Sequence, residues 1–231
     1  MNLASVDVRS YLEHTLLKAD ATAADIERLC AEALSLGLFA VCVAPYWVPD
    51  AVRALQGSEV KVVSVAGFPL GSATTATKVA EATACLSLGA AEVDMVINLG
   101  ALLSGRDLAV RDDIAAMAVA CHGRGAKLKV ILETGCLTQD QKRRACALAA
   151  EAGADFVKTS TGFGPGGASV EDVALLRESV PTHVGVKAAG GIRDLQAALA
   201  MIAAGATRIG TSAGAAIARA AINNAGGSTS E

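Results

Sequence analysis

Eight short apolar runs, rich in valine and isoleucine, alternate with longer alanine-rich segments along almost the whole chain. They are LEHTLL (12–17), LFAVCVAP (38–45), VKVVSVAG (60–67), AEVDMVIN (91–98), KLKVILET (127–134), ADFVKTS (154–160), HVGVKAAG (183–190) and TRIGTSAG (207–214). The segments between them carry helix punctuation. Residues 22–37 open on Thr22 as an N-cap, with acids in the first turns, and close on Gly37. Residues 138–153 and 194–205 repeat the plan, and Gly-Ala precedes the next run at Gly89, Gly153 and Gly205. Nearly continuous apolar strands in serial alternation with helices mark a parallel sheet covered on both faces. Eight such units with no linker or break in composition fit a closed barrel better than an open sheet. The expected fold is α/β, a single (β/α)8 TIM barrel over residues 1–222, followed by a disordered tail at 223–231.

Composition narrows the function. Of the 231 residues, 52% are hydrophobic and 19% charged, which excludes a disordered chain, while aromatics are only 3%, so the core must be aliphatic. The net charge of −3 comes with no basic run, so no nucleic-acid partner is expected. No apolar stretch reaches the ~18 residues of a membrane span, so no membrane partner is expected either. Charges interrupt the first residues where a signal peptide needs an apolar core, which points to the cytoplasm. Cysteines 30, 42, 85, 121, 136 and 146 form neither a CxxC pair nor a zinc-spaced cluster. They read as reduced core fillers, and no metal site is expected.

Several strands contain groups that an apolar strand should reject. Lys158 follows Phe156 and Val157, Lys187 follows Val184 and Val186, and Asp94 lies inside EVDMVIN. Lys129 and Glu133 share a parity, as do Glu92 and Asp94; Cys42 sits within AVCVAP, and Glu13 and Thr15 alternate in the first run. Taken singly, each ionisable group reads as half of a buried ion pair, Lys129 with Glu133 or Glu92 for instance. Taken together, two lysines near the ends of successive strands meet a carboxylate at similar depth, and burying charge without purpose is expensive. Two ammonium groups ~6 Å apart at an effective dielectric of ~20 repel by roughly 2.8 kcal/mol, and burial acts in the same direction. Lys158 or Lys187 is thereby poised as a neutral amine near pH 7, which is what Schiff-base catalysis on a carbonyl compound needs. Asp94 is placed to move protons, directly or through a water.

Three glycine-rich loops follow the last three runs: TSTGFGPGG (159–167), AAGGIRD (188–194) and GTSAG (210–214). Glycines let backbone N–H groups approach an anion, and the loops after barrel strands seven and eight often bind phosphate. Arg193 either assists there or is a solvated helix residue.

The stretches VKTSTGF, VKAAGGIR, EVDMVIN and HTLLKADAT resemble the 2-deoxyribose-5-phosphate aldolase family over residues 9–220. The resemblance implies a cofactor-free class I aldolase on a (β/α)8 barrel. Its reaction is the reversible cleavage of 2-deoxy-D-ribose 5-phosphate to D-glyceraldehyde 3-phosphate and acetaldehyde, in deoxyribose phosphate catabolism. It makes Lys158 the Schiff-base lysine, Lys187 the second lysine that lowers its pKa, and Asp94 the proton-relay acid. Thr15 and Cys42 match pocket-lining positions and Thr161 a sugar-contacting one. Gly162, Gly190, Gly191, Gly210 and Ser212 match phosphate-loop positions. The implied partners are a small phosphosugar and aldehydes, with a homodimer as the suggested assembly.

Three features depart from the family pattern. Glu13, counted with the substrate-binding positions, stands where an Asp is usual, and its carboxylate reaches one methylene further. Ala188 stands where a proline is usual, which frees the backbone. The tail lacks the C-terminal tyrosine of some members, since the only tyrosines are Tyr11 and Tyr46.

Overall fold

The computed structural model of the chain describes residues 6–227. Eight parallel strands close on themselves in chain order: β1 (Leu12–Leu16), β2 (Ala40–Val43), β3 (Lys61–Ala66), β4 (Glu92–Val96), β5 (Lys127–Ile131), β6 (Phe156–Lys158), β7 (Gly185–Ala189) and β8 (Arg208–Thr211). β8 returns to pair with β1 through Glu13 and Gly210. The helices are α1 (Ala23–Leu36), α2 (Val48–Ala54), α3 (Thr75–Ser87), α4 (Leu99–Leu103), α5 (Asp107–His122), α6 (Gln139–Glu151), α7 (Val170–Ser179), α8 (Leu195–Ala203) and α9 (Gly214–Gly227). All eight apolar runs form strands, so the fold is a single (β/α)8 TIM barrel.

Local chemistry sets the helix ends. Thr22 and Asp25 form a reciprocal capping box on α1, and Gly37 ends it in the left-handed region at φ 61°. Thr138 and Gln141 do the same at the start of α6. Most strands are shorter than their apolar runs because the last residues leave the ladder to build the C-terminal mouth. Thr159 and Ser160, for example, follow β6 yet remain fully buried. At the C-terminus, α9 continues to Gly227, so residues 223–227, expected in a disordered tail, are helical. A helix already docked through Ile217 and Ala218 extends at little cost. Residues 228–231 of that tail, and residues 1–5, lie outside the described residues.

The main core lies between the barrel and its helices. It is built of Val, Leu, Ile, Ala and Met, and it includes Ala188. The barrel interior is different. One sector, from β2 and β3, is a small apolar cluster of Ala40, Cys42, Val63 and Val65. The remaining sector is ionic. Its floor is the Arg208 guanidinium, stacked 3.4 Å from the Phe39 ring centroid and 5.4 Å from that of Phe156. A Cβ at position 185 would overlap the Phe156 ring, so glycine is required there for that ring to turn inward.

Candidate active site

Above that floor, acids and amines from six strands form one connected network. In register, Asp94 of β4 lies beside Lys129 of β5, and Lys158 of β6 lies beside Lys187 of β7. Asp94 is fully buried. Its Oδ2 accepts from Lys158 Nζ at 2.8 Å and from Lys187 Nζ at 2.7 Å, and its Oδ1 accepts from Lys129 Nζ at 2.9 Å. Lys187 also donates to Glu13 Oε2. Lys129 reaches Glu92 at 2.5 Å and Glu13 at 3.4 Å, and Arg208 lies 3.6 Å from Glu13. Lys129 therefore pairs with Glu92, Asp94 and Glu13 rather than with Glu133. The chain turns after Ile131 and carries Glu133 out of the barrel register.

Four cations, Lys129, Lys158, Lys187 and Arg208, face three anions, Glu13, Glu92 and Asp94, so one is in surplus, and the surroundings of the two candidate amines decide between them. Burial and then the Lys187 ammonium push the Lys158 pKa down, and Asp94 only partly offsets them. For Lys187, burial is outweighed by two carboxylates, Asp94 and Glu13, so its pKa is raised. Burial raises the Asp94 carboxyl, but Lys129, Lys158 and Lys187 together hold it well below the usual carboxylate range. Glu13 is depressed likewise, burial being overcome by Lys129 and Lys187. Burial thus exceeds mutual repulsion as the main cause of the Lys158 shift, a correction to the expectation from spacing alone. The longer side chain at position 13 lets its carboxylate join the network and hold Lys187 as a cation.

A cavity of about 340 Å3 opens above the network at the C-terminal ends of the strands. Of the sequence-predicted residues, Thr15, Lys158, Thr161 and Gly162 line it, as do Gly190, Gly191, Gly210 and Ser212. Asp94, Lys187, Glu13 and Cys42 form the layer beneath and do not reach its wall. Cys42 is fully buried between the apolar sector and the ionic network, and burial pushes its thiol up to about 11. Lys158 is the one member of the ionic network that opens on the cavity.

The three glycine loops meet on one side of this cavity. Thr159 Oγ1 donates to Ala189 O and accepts from Ala189 N, Ala168 N donates to Gly190 O, and Thr211 Oγ1 donates to Ile192 O. Arg193 lines the cavity with Lys18, giving that side two cations. Lys18 and Phe163 carry no signal of their own in the sequence, although they fall inside the motifs HTLLKADAT and VKTSTGF. Glu133 reads there only as a partner for Lys129. Among the described residues no group of three or more His, Cys, Asp or Glu is placed to hold a metal ion, and no helix is long and apolar enough to cross a membrane.

A (β/α)8 barrel with buried amines and carboxylates beneath a C-terminal cavity has the layout of an enzyme. Comparison with known proteins narrows the class. A family model described as DeoC/LacD family aldolase matches residues 7–224. A deoxyribose-phosphate aldolase of Geobacillus sp. is 55% identical over 211 residues, 91% of this chain and 94% of its own. One of Thermococcus gammatolerans is 54% identical over 223 residues, 96% of this chain and 99% of its own. A solved structure described as the unique tetrameric structure of deoxyribose phosphate aldolase from Aeropyrum pernix superposes with a TM-score of 0.86 at 34% identity, covering 92% of this chain and 90% of that one. The chain belongs to the DeoC/LacD family of aldolases, which are carbon–carbon lyases.

Proposed function

We propose that the enzyme reversibly cleaves 2-deoxy-D-ribose 5-phosphate to D-glyceraldehyde 3-phosphate and acetaldehyde, through a Schiff base on Lys158. One observation carries this reading: the surplus, pKa-depressed amine of the network is also the one that opens on the cavity. The substrate phosphate sits on the side formed by Gly162, Gly190, Gly191 and Ser212, where Lys18 and Arg193 supply positive charge. This directs the open-chain aldehyde towards Lys158.

Neutral Lys158 adds to the aldehyde carbon, and the resulting carbinolamine loses water to give an iminium ion. Asp94, 2.8 Å from the amine, moves protons at this stage and, through a water, accepts the proton of the C3 hydroxyl. The C2–C3 bond then breaks, its electron pair moves to the iminium to form an enamine, and glyceraldehyde 3-phosphate leaves. Protonation of the enamine carbon followed by hydrolysis releases acetaldehyde and restores the amine. Lys187 stays cationic throughout and keeps Lys158 from regaining its proton. The iminium itself is the electron sink, so this scheme needs no cofactor.

Deoxyribose phosphate catabolism in the cytoplasm is the setting we infer; the six free cysteines suit a reducing compartment. The family resemblance suggests a homodimer, while the relative from Aeropyrum pernix is described as tetrameric; sedimentation distinguishes the two. The direct test is acetaldehyde release from deoxyribose 5-phosphate in the presence of a chelator. Turnover there supports the reading; turnover only of keto-acid substrates would overturn it.

A further inference from the structure

Glu133 is the one non-glycine residue with positive φ among the described residues, at 56°. Left-handed backbone at a long side chain is uncommon and persists where surrounding structure enforces it, often beside a functional site. The surrounding structure here is the loop after β6. The Glu133 carboxylate is buried and accepts from Thr161 N at 3.3 Å to each oxygen, and from the Thr161 hydroxyl. Gly164 packs against the same carboxyl, so that a Cβ there would lie 2.7 Å from Glu133 Cδ. Thr134 N donates to Thr159 O at 2.9 Å. The turn after β5 thus grips the loop that carries Thr161 and Phe163 to the cavity wall.

Donor accounting gives this grip a chemical meaning. A carboxylate only accepts, and a threonine hydroxyl has a single proton. That proton goes to Glu133. The Phe163 N–H, at 3.1 Å, takes one lone pair of the Thr161 oxygen, leaving the other free. We infer that Glu133 is a positioning residue for sugar recognition: it fixes the Thr161 hydroxyl so that its oxygen accepts a hydrogen bond from a substrate hydroxyl. The site then selects for an O–H donor on the sugar and disfavours a carbonyl or ether oxygen at that point. This rests on the proposed function, in which the sugar phosphate occupies the cavity.

The test is Glu133→Gln, alone and combined with Thr161→Val. Glutamine keeps one accepting oxygen but turns the other position into a donor, so it cannot accept from the Thr161 N–H at both positions as the carboxylate does, and the Thr161 hydroxyl is no longer held in one orientation. KM for deoxyribose 5-phosphate should rise about tenfold with little change in kcat. Borohydride trapping of acetaldehyde on Lys158, which involves no sugar hydroxyl, should change by less than about twofold. In the Thr161→Val background, Glu133→Gln should have almost no further effect on KM, because the residue acts through Thr161. An equal KM increase in both backgrounds, or a matching loss of acetaldehyde trapping, would overturn the proposal. Should E133Q fail to fold, Thr161→Ser should keep the wild-type KM and Thr161→Val should lose it; equal KM values for the two would also overturn the proposal. Failure of acetaldehyde trapping in the wild-type protein would instead count against the proposed function.

Discussion

Lys158 and Lys187 lie side by side on adjacent strands and donate to the same oxygen, Asp94 Oδ2, at 2.8 and 2.7 Å. Their environments differ in two respects: Lys187 has a second carboxylate, Glu13, and Lys158 has the cavity. The shared oxygen keeps the amines close enough for one charge to suppress the other, while Glu13 determines which one keeps its proton.

Lys187→Leu removes the charge that disfavours a proton on Lys158 and leaves Asp94 facing it. The Lys158 pKa then rises, so the acidic limb of the kcat/KM profile moves to higher pH. At pH 7 the rate should fall at least about tenfold and partly recover in alkaline buffer. A profile superimposable on that of the wild type would remove Lys187 from the account.

Stability should move in opposite directions at the two lysines. Lys158→Met deletes an amine whose proton the fold disfavours, while Asp94 keeps Lys129 and Lys187, so the folded state should gain about 1 kcal/mol at neutral pH. Because the Lys158 pKa is lowered in the fold, this gain is present at neutral pH and disappears as pH rises past the ordinary lysine value of 10.5. Lys187→Met takes away the hydrogen-bonded partner of Glu13, leaving it Lys129 at 3.4 Å and Arg208 at 3.6 Å, and should cost about 3 kcal/mol. Denaturant titrations of both variants decide the matter; a Lys158→Met protein as damaged as Lys187→Met would show that Lys158 is an ordinary structural partner.

The sequence groups Gly210 and Gly191 together as phosphate-loop residues, and the structure separates them. A Cβ at Gly210 would lie 2.8 Å from Lys187 Cε and 3.2 Å from Ala189 Cβ. Lys187 is pinned at its far end by Asp94 and Glu13 and has little room to yield. Gly210→Ala should therefore lower kcat about tenfold and alter the pH profile. At Gly191, where φ is 78°, an added methyl group would meet nothing within 4 Å. Gly191→Ala therefore costs only backbone strain of about 1 kcal/mol and should appear in KM for the phosphosugar. Identical kinetic signatures for the two variants would contradict this division.

The barrel was legible in the sequence because parallel strands buried on both faces leave an apolar run that needs no partner to be recognised. The ionic layer was legible for a related reason: Asp94, Lys158 and Lys187 break those runs where an aliphatic residue belongs. What periodicity could not give was connectivity. Lys129 and Glu133 share a parity, yet the chain turns after β5 and sends Glu133 to Thr161 instead. Nor could spacing choose between Lys158 and Lys187, since that choice depends on Glu13, 174 residues away from Lys187 in the chain. The depth of Cys42 was hidden too, because inward-facing residues of one strand differ in height along the barrel axis.

In the proposed mechanism Lys158, and not Lys187, is the neutral attacking amine. Incubation with acetaldehyde and borohydride at pH 7, followed by peptide mass spectrometry, reads this directly. One ethyl group per chain is expected, on the peptide bearing Lys158, with Lys187 unmodified. An ethyl group on Lys187, or no adduct on either lysine, would contradict it.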